Sequence, residues 1–422
     1  MTRIIVQNIG PIKSIEIDLN KINVFMGPQS SGKSTLAKVI SCCYWVEKSC
    51  CLLRNENDEI GLSFGANLES YYNLEGYLNE TSFIKYESDF IIIECRGNRI
   101  ADITLKEENQ LTYKRTKILY IPAERNIIST IPNWLSIKLP RGYLQDFMIE
   151  WGEIRNIYNR EKPLNIVPLE LQYYYNNKTD KDYISIPNEE AKEEKKFISL
   201  LNSSSGIQSS LPLYLLYKAY YQDRERLTDQ YSIKNLQTLD NVYQKYLRYS
   251  TTVVYPAETP EHDYFNYKDR YFVVAPGEKE RSIAILRNFT ETQYIQGVIE
   301  EPELNLFPET QRMLVYDLLH NIISNENQLT ITTHSPYILF ALNNCMMGGL
   351  VGRNVPASKK VDIQSHDSWI NPQLVSIYEI HDGELKCIQD EDGILEDNYL
   401  NQVYKKNSAE YLSLLNYYDD EE

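Results

Sequence analysis

The sequence predicts an α/β protein, because three apolar or β-branched runs each end on chemically distinctive residues. Ile22-Asn23-Val24-Phe25-Met26 ends on a glycine-rich loop, Tyr294 to Ile299 on two glutamates, and Leu329 to Thr333 on a histidine. Runs of roughly four to eight such residues, bounded by turn residues, read as strands.

The elements follow in order. Ile4-Ile5-Val6-Gln7-Asn8-Ile9 is a strand broken by Gly10-Pro11, and Ile12, Ile15, Ile17 and Leu19 alternate partially, as in a half-buried second strand. Beyond the glycine-rich loop a helix is expected from Lys33 to about Glu47, with Leu36, Val39, Ile40 and Cys43 on one face. Residues 60–121 read as β-rich, with Phe90 to Ile93 and Ile118 to Ile121 the clearest strands. From about 126 to 250 the chain becomes polar and rich in Tyr, Asn, Lys and Glu, which reads as helical; no sustained apolar heptad supports a long coiled coil. Three parts are therefore expected: 1–125, a lobe with the glycine-rich loop and a β-rich subdomain; 126–290, a mainly helical insertion with a helix over about 203–222; and 291–422, a second lobe with the paired glutamates, the histidine and a closing hairpin and helix.

Composition narrows the functional classes. Lys+Arg 43 against Asp+Glu 59 gives a net charge of −16, which disfavours sequence-independent DNA binding, a process driven by Lys and Arg displacing counterions. The 34 tyrosines suit half-buried faces, and a tyrosine stripe is more often core than binding platform. Seven cysteines without zinc-like spacing read as reduced cytoplasmic thiols, Cys43 and Cys50 lying two helical turns apart on a buried face. No run approaches the roughly 18 apolar residues of a membrane helix, and Met1-Thr2-Arg3-Ile4 enters a strand without a signal-peptide pattern. Asp419-Asp420-Glu421-Glu422 reads as a solvated tail.

Gly27-Pro28-Gln29-Ser30-Ser31-Gly32-Lys33-Ser34-Thr35 fits G-x-x-x-x-G-K-[ST] between a strand and a helix. A triphosphate needs a loop whose amides turn inward; the glycines permit that and the helix adds its positive end. Lys33 is expected on the β/γ phosphates of ATP and Ser34 on Mg²⁺, which makes the chain a P-loop NTPase. Of the paired carboxylates, Glu300 is assigned to the metal and Glu301 to general-base work on water. A plain acidic turn is the competing reading, which the upstream loop outweighs. His334, at a strand tip 33 residues past Glu301, is placed as a sensor of the γ-phosphate. Ser203-Ser204-Ser205-Gly206-Ile207-Gln208 opens an apolar helix, either as a simple serine N-cap or as a helix end presented to a second molecule's nucleotide.

In this order the motifs resemble the ABC-type ATPase heads of the SMC, RecF and recombination-repair class. They look closest to the smaller bacterial AAA-annotated ATPases that include the OLD family and the ATPase subunits of the anti-phage systems Septu and PARIS. The echoes are "NIGPIKSIEIDLNKINVFMGPQSSGKST", "YIPAERN", "SSSGIQSSLPL", "IEEPELNLFP", "TTHSPYIL" and "YEIHDGELKCI". The resemblance implies a two-lobed ABC-type head, β-rich in its first lobe and carrying a helical insertion, that dimerises with ATP sandwiched between heads. It further implies that Ser205 and Gly206 act in trans, that Glu301 is the catalytic base and His334 the switch histidine, and that Asn305 lines the dimer interface. The sequence departs from the pattern at Ile207, where a second glycine is usual, and in the roughly 90 residues between Gly206 and Glu300. It also lacks the lone glutamine after the first-lobe strands, where Glu124 and Arg125 stand at a comparable strand end.

Three functions compete. A sensor or scaffold ATPase of a defence complex, paired with a separately encoded nuclease or toxin, fits a complete nucleotide site without an attached effector. Too few residues follow Pro336 and its helix for a TOPRIM nuclease of roughly a hundred residues, and His262, His320, His366 and His381 do not assemble an HNH site. A DNA-repair or chromosome-maintenance clamp needs a basic channel that the net charge disfavours, and the long insertion disfavours a transporter subunit.

Overall fold

The computed structural model describes residues 2–53, 57–97, 100–131, 133–185, 197–223, 242, 263–268, 270–274, 276–323, 326–415 and 417–418. The acidic end Asp419 to Glu422 and much of the stretch from 224 to 262 lie outside these residues.

Among the described residues one 11-stranded sheet organises the fold. Its antiparallel half holds β1 (Thr2–Ile9), β2 (Ile12–Leu19), β4 (Phe83–Glu87), β5 (Ile91–Arg96) and β6 (Ala101–Leu105), in the order β6-β5-β4-β1-β2. Its parallel half runs β16 (Val375–His381), β3 (Ile22–Met26), β15 (Gln328–Thr333), β14 (Tyr294–Glu300) and β7 (Thr116–Ile121). β17 (Glu384–Cys387) folds back on β16 and joins the halves through a single register pair with β2, Glu384 to Ser14. Gly383 O there accepts from Lys13 N at 2.8 Å and Ser14 N at 3.2 Å.

All five residues of β3 are buried. Ile22, Val24 and Met26 enter one core and Phe25 the other, so the strand reads as an unbroken apolar run, as central parallel strands do. On the Phe25 side lies α1 (Lys33–Leu53), which extends past the expected end near Glu47 and buries Leu36, Val39, Ile40, Cys43 and Cys50. On the other side pack α4 (Ser205–Tyr221), α6 (Pro308–Ile323) and α7 (Pro336–Val351). Between them in chain order come α2 (Asn57–Ala66), α3 (Tyr143–Ile154) and α5 (Lys279–Thr290); α8 (Tyr399–Leu415) follows β17. Of the β-rich stretch 60–121, the first part is therefore helical.

The insertion carries the helices α3, α4 and α5, with α4 inside the expected span of about 203–222, and adds strands that the helical reading did not include. A separate four-stranded antiparallel sheet, ordered β11-β10-β9-β8, spans β8 (Leu164–Ile166), β9 (Leu171–Asn176), β10 (Lys181–Ser185) and β11 (Phe197–Ser199), and β12 (Asp263–Tyr267) pairs with β13 (Arg270–Val274). Tyrosine favours a pleated, half-buried surface, and β9 and β10 carry Tyr173, Tyr174, Tyr175 and Tyr183. Tyr174 stacks across the ladder on Tyr183 at 5.2 Å and meets Phe197 edge-on at 5.0 Å. The expectation that tyrosines serve the core holds: Tyr158, Tyr173, Tyr214 and Tyr217 are fully buried. No helix among the described residues is long and apolar enough to cross a membrane.

Candidate functional site

The carboxyl ends of four parallel neighbours carry the residues singled out from the sequence: β3 leads into Gly27, β14 ends on Glu300, β15 runs into His334, and β7 leads into Glu124 and Arg125. Ligands of open α/β sheets bind along this edge.

The loop from Gly27 to Thr35 wraps tightly onto the first turn of α1. Gly27 has φ +146° and a Cβ there would stand 2.2 Å from Ile380 O, so only glycine fits. Ser30 is also left-handed, at φ +60°, and Gly32 has φ +107°. Lys33 is buried and folds back over the loop, its Nζ donating to Gly27 O at 3.0 Å and Pro28 O at 2.6 Å. Burial lowers its pKa to about 8, against the pull of Glu301 and Glu303. Its third partner is the Ser31 hydroxyl, at 3.4 Å. Pro28, Gln29 and Ser30 lie at the open rim, whereas Ser31, Gly32 and Thr35 are buried and Ser34 is half-buried at the helix start.

Glu300 is buried and accepts a hydrogen bond from the Tyr120 hydroxyl. Burial raises its pKa, which the Tyr120 hydroxyl and Lys38 oppose. Glu301, next along, turns left-handed at φ +43°, with its amide donating to Thr332 O at 2.9 Å. Strained backbone of this kind is held by its surroundings. The turn swings its carboxylate toward His334, whose Nε2 lies 3.4 Å from Glu301 Oε1. That histidine holds the Glu301 carboxyl below the usual carboxylate range. The base and sensor assigned from sequence are thus adjacent in one chain.

Two further residues hold this arrangement. Arg125 is fully buried and donates to Glu300 O and Glu301 O at 2.7 Å each, to Ser209 O at 2.8 Å and to Pro122 O at 3.1 Å. It ties the glutamate turn to α4, and burial lowers its pKa to about 10. Glu124 instead meets the Tyr143 hydroxyl at 3.3 Å. Glu303 Oε1 accepts from His334 N at 2.6 Å and Thr333 Oγ1 at 2.9 Å, while its Oε2 is buried without a partner. The sequence offered a signal for Arg125, at a strand end in "YIPAERN", but none for the direction of its side chain. Glu303 stood in the acidic motif two residues past Glu301 and was given no role.

Ser205 and Gly206 begin α4, with Ser204 in the N-cap position. Ser204 makes no side-chain cap, and both Ser204 and Ser205 are exposed. The simple serine cap is therefore not what the helix uses. Gly206 abuts Asn305, where a Cβ would stand 2.7 Å from Asn305 O. Asn305 is left-handed at φ +59° and exposed, and its Nδ2 donates to Ser209 Oγ at 2.7 Å.

The donor set fits Mg²⁺ held together with a nucleotide. Ser34 and Glu300 supply one hydroxyl and one carboxylate, and no group of three or more His, Cys, Asp or Glu able to hold a metal occurs among the described residues. Mg²⁺ bound through one or two protein oxygens takes its remaining ligands from phosphates and water.

Residues 280–339, which carry Glu300, Glu301 and His334, match the AAA ATPase domain family. No curated protein matches the chain. Among solved structures, an SMC head domain from Thermotoga maritima is similar at 9% identity and a TM-score of 0.38, over 92% of this chain and 98% of that one. The recombination mediator protein RecF is similar at 13% and 0.32, over 92% and 97%. An ATP-binding cassette of an ABC transporter is similar at 11% and 0.29, over 91% and 90%. At these scores the likeness carries no weight for function, which rests on the geometry above.

Proposed function

We propose that this chain is an ATP-binding and ATP-hydrolysing P-loop ATPase of the ABC/SMC type, whose heads pair across ATP. The observation that carries the reading is the meeting of the Gly27–Thr35 loop, Glu300, Glu301 and His334 along one edge of the parallel sheet. In this mechanism the loop amides and Lys33 bind the β- and γ-phosphates. Ser34 and Glu300 would hold Mg²⁺, which when bound neutralises charge on the phosphates. Glu301 accepts a proton from the attacking water, and His334 keeps its carboxylate ionised and aimed. Ser205 and Gly206 of a second copy would close the site through the uncapped amides of α4, with Asn305 at the joint.

The role is that of a cytoplasmic sensor or scaffold in an anti-phage defence complex with a separately encoded nuclease or toxin. Its support is the motif resemblance, together with the lack among the described residues of a group of three or more His, Cys, Asp or Glu able to hold a nuclease metal. The insertion between 126 and 290 would be the partner-binding part, standing between two ATPase lobes. A DNA-repair clamp of the SMC/RecF kind is the competing reading, and the net charge of −16 weighs against it.

The test is light scattering with ATP and Mg²⁺ on the wild type and on Glu301→Gln. The reading expects Glu301→Gln to abolish hydrolysis and accumulate a stable larger species. Mass indifferent to ATP, with hydrolysis retained in the variant, would overturn it.

A further inference from the structure

Gln311, in the first turn of α6, is buried and uses both ends of its side-chain amide. Its Nε2 donates to Leu306 O at 2.8 Å, and its Oε1 accepts from the Ser335 hydroxyl. Leu306 follows Asn305, the exposed residue that meets Gly206 and Ser209 of α4. Ser335 follows His334 and caps α7, its Oγ accepting from Tyr337 N at 3.1 Å. One side chain thus spans from the turn after the glutamates to the tip of β15.

The span closes a circuit of hydrogen bonds. Ser335 N donates to Thr333 Oγ1 at 3.0 Å, and Thr333 Oγ1 donates to Glu303 Oε1 at 2.9 Å. That same carboxylate oxygen accepts from His334 N, and the Glu303 carbonyl accepts from Leu306 N at 3.0 Å. Directions within the ring are fixed. The Leu306 carbonyl can only accept, so the Gln311 amide turns its NH₂ there and its oxygen to Ser335. Ser335 Oγ, already accepting from Tyr337 N, gives its only proton to Gln311. Gln311, Ser335 and Thr333 are all buried, and breaking any link leaves a buried polar group unpaired. A shift of Leu306 is therefore carried to Ser335, and with it to His334, which stands between Ser335 and Thr333.

We propose that Gln311 is a positioning residue for hydrolysis. It couples the Asn305–Leu306 turn to His334, so that docking of a second head at the turn sets the histidine. The inference rests on the paired-head reading and adds the link through which pairing reaches the chemistry.

Gln311→Met keeps an unbranched side chain of similar length and removes both bonds, and Ser335→Ala removes the other end of the link. Steady-state hydrolysis and ATP binding by the full chain test the proposal, with light scattering of each change combined with Glu301→Gln. Each single variant is expected to lose turnover about tenfold, with ATP affinity and ATP-driven mass unchanged. Both changes together are expected to lose no more than either alone, because they break one path, whereas two unrelated packing defects multiply. Urea midpoints of both variants report that the head is folded. Wild-type turnover in Gln311→Met, losses that multiply in the double variant, or an equal loss of ATP affinity would overturn the proposal. Glu301→Gln alone, if it gains no mass with ATP, overturns the paired-head reading itself, so the two failures are told apart.

Discussion

Arg125→Ala removes a guanidinium that makes four hydrogen bonds to backbone carbonyls in a fully buried place. A hydrogen bond from a charged donor contributes about 1.5–3 kcal/mol, and an acceptor left buried and unpaired keeps its desolvation penalty. Opposing this, burial disfavours the charged guanidinium itself, while Glu303, Glu301 and Glu300 hold it charged. The net loss is about 3–5 kcal/mol, the size found when one member of a buried charged network is removed. Because Glu300 O and Glu301 O are released together, the left-handed turn at Glu301 relaxes and its carboxylate leaves the direction of His334. The expected result is a lower urea midpoint and a turnover number that falls more than ATP affinity does. Arg125→Lys recovers part of the stability but little of the turnover, because an ammonium cannot span the same fork of carbonyls. If Arg125→Ala unfolds within about 1 kcal/mol of the wild type and hydrolyses ATP at the wild-type rate, the reasoning is wrong.

Two further outcomes are expected. Glu303→Ala frees the amide of His334 and the hydroxyl of Thr333, and is expected to lower turnover roughly tenfold or more with little change in ATP affinity, since misplaced catalytic groups cost rate; Glu303→Gln, which keeps the acceptor oxygen, is expected to retain most of the rate in the same steady-state assay. Burial brings the Lys48 ammonium down to about 7, with Arg115 and Lys117 adding repulsion, whereas in the unfolded chain it titrates near roughly 10.4. Between these values the unfolded state holds more protons, so this group makes stability rise with pH from about 7 upward and depresses it below. Lys48→Met is thus expected to raise the unfolding midpoint most below pH 7, and urea titrations across pH would show no such gain if the ammonium were solvated.

The strands and loops that carry the nucleotide chemistry were legible because each is local. β3, β14 and β15 are apolar runs with a motif at one end, and the Gly27–Thr35 loop is specified by spacing. The strands of the insertion were missed for the opposite reason. Tyrosine and polar residues without clear alternation look alike in a surface helix and in a small sheet, and only long-range pairs such as Tyr174 with Tyr183 choose between them. Arg125 and Glu303 belong to the same class: their partners are backbone atoms of other segments, which a sequence does not display. α8 was foreseen as a closing helix, but its lack of buried residues was not.

The single rung between β2 and β17 has a mechanical consequence. Eleven strands act as one plate only where adjacent edges are fully laced, and the line through Glu384 and Ser14 carries one register pair and the two bonds accepted by Gly383 O. The glycine-rich loop hangs on one side of that line and the antiparallel flap on the other. Beneath that line the halves share one core, which α1 enters from the loop, and Gly32 itself lies against Ile12, so a displacement of the loop reaches the antiparallel strands through packing and not through the ladder.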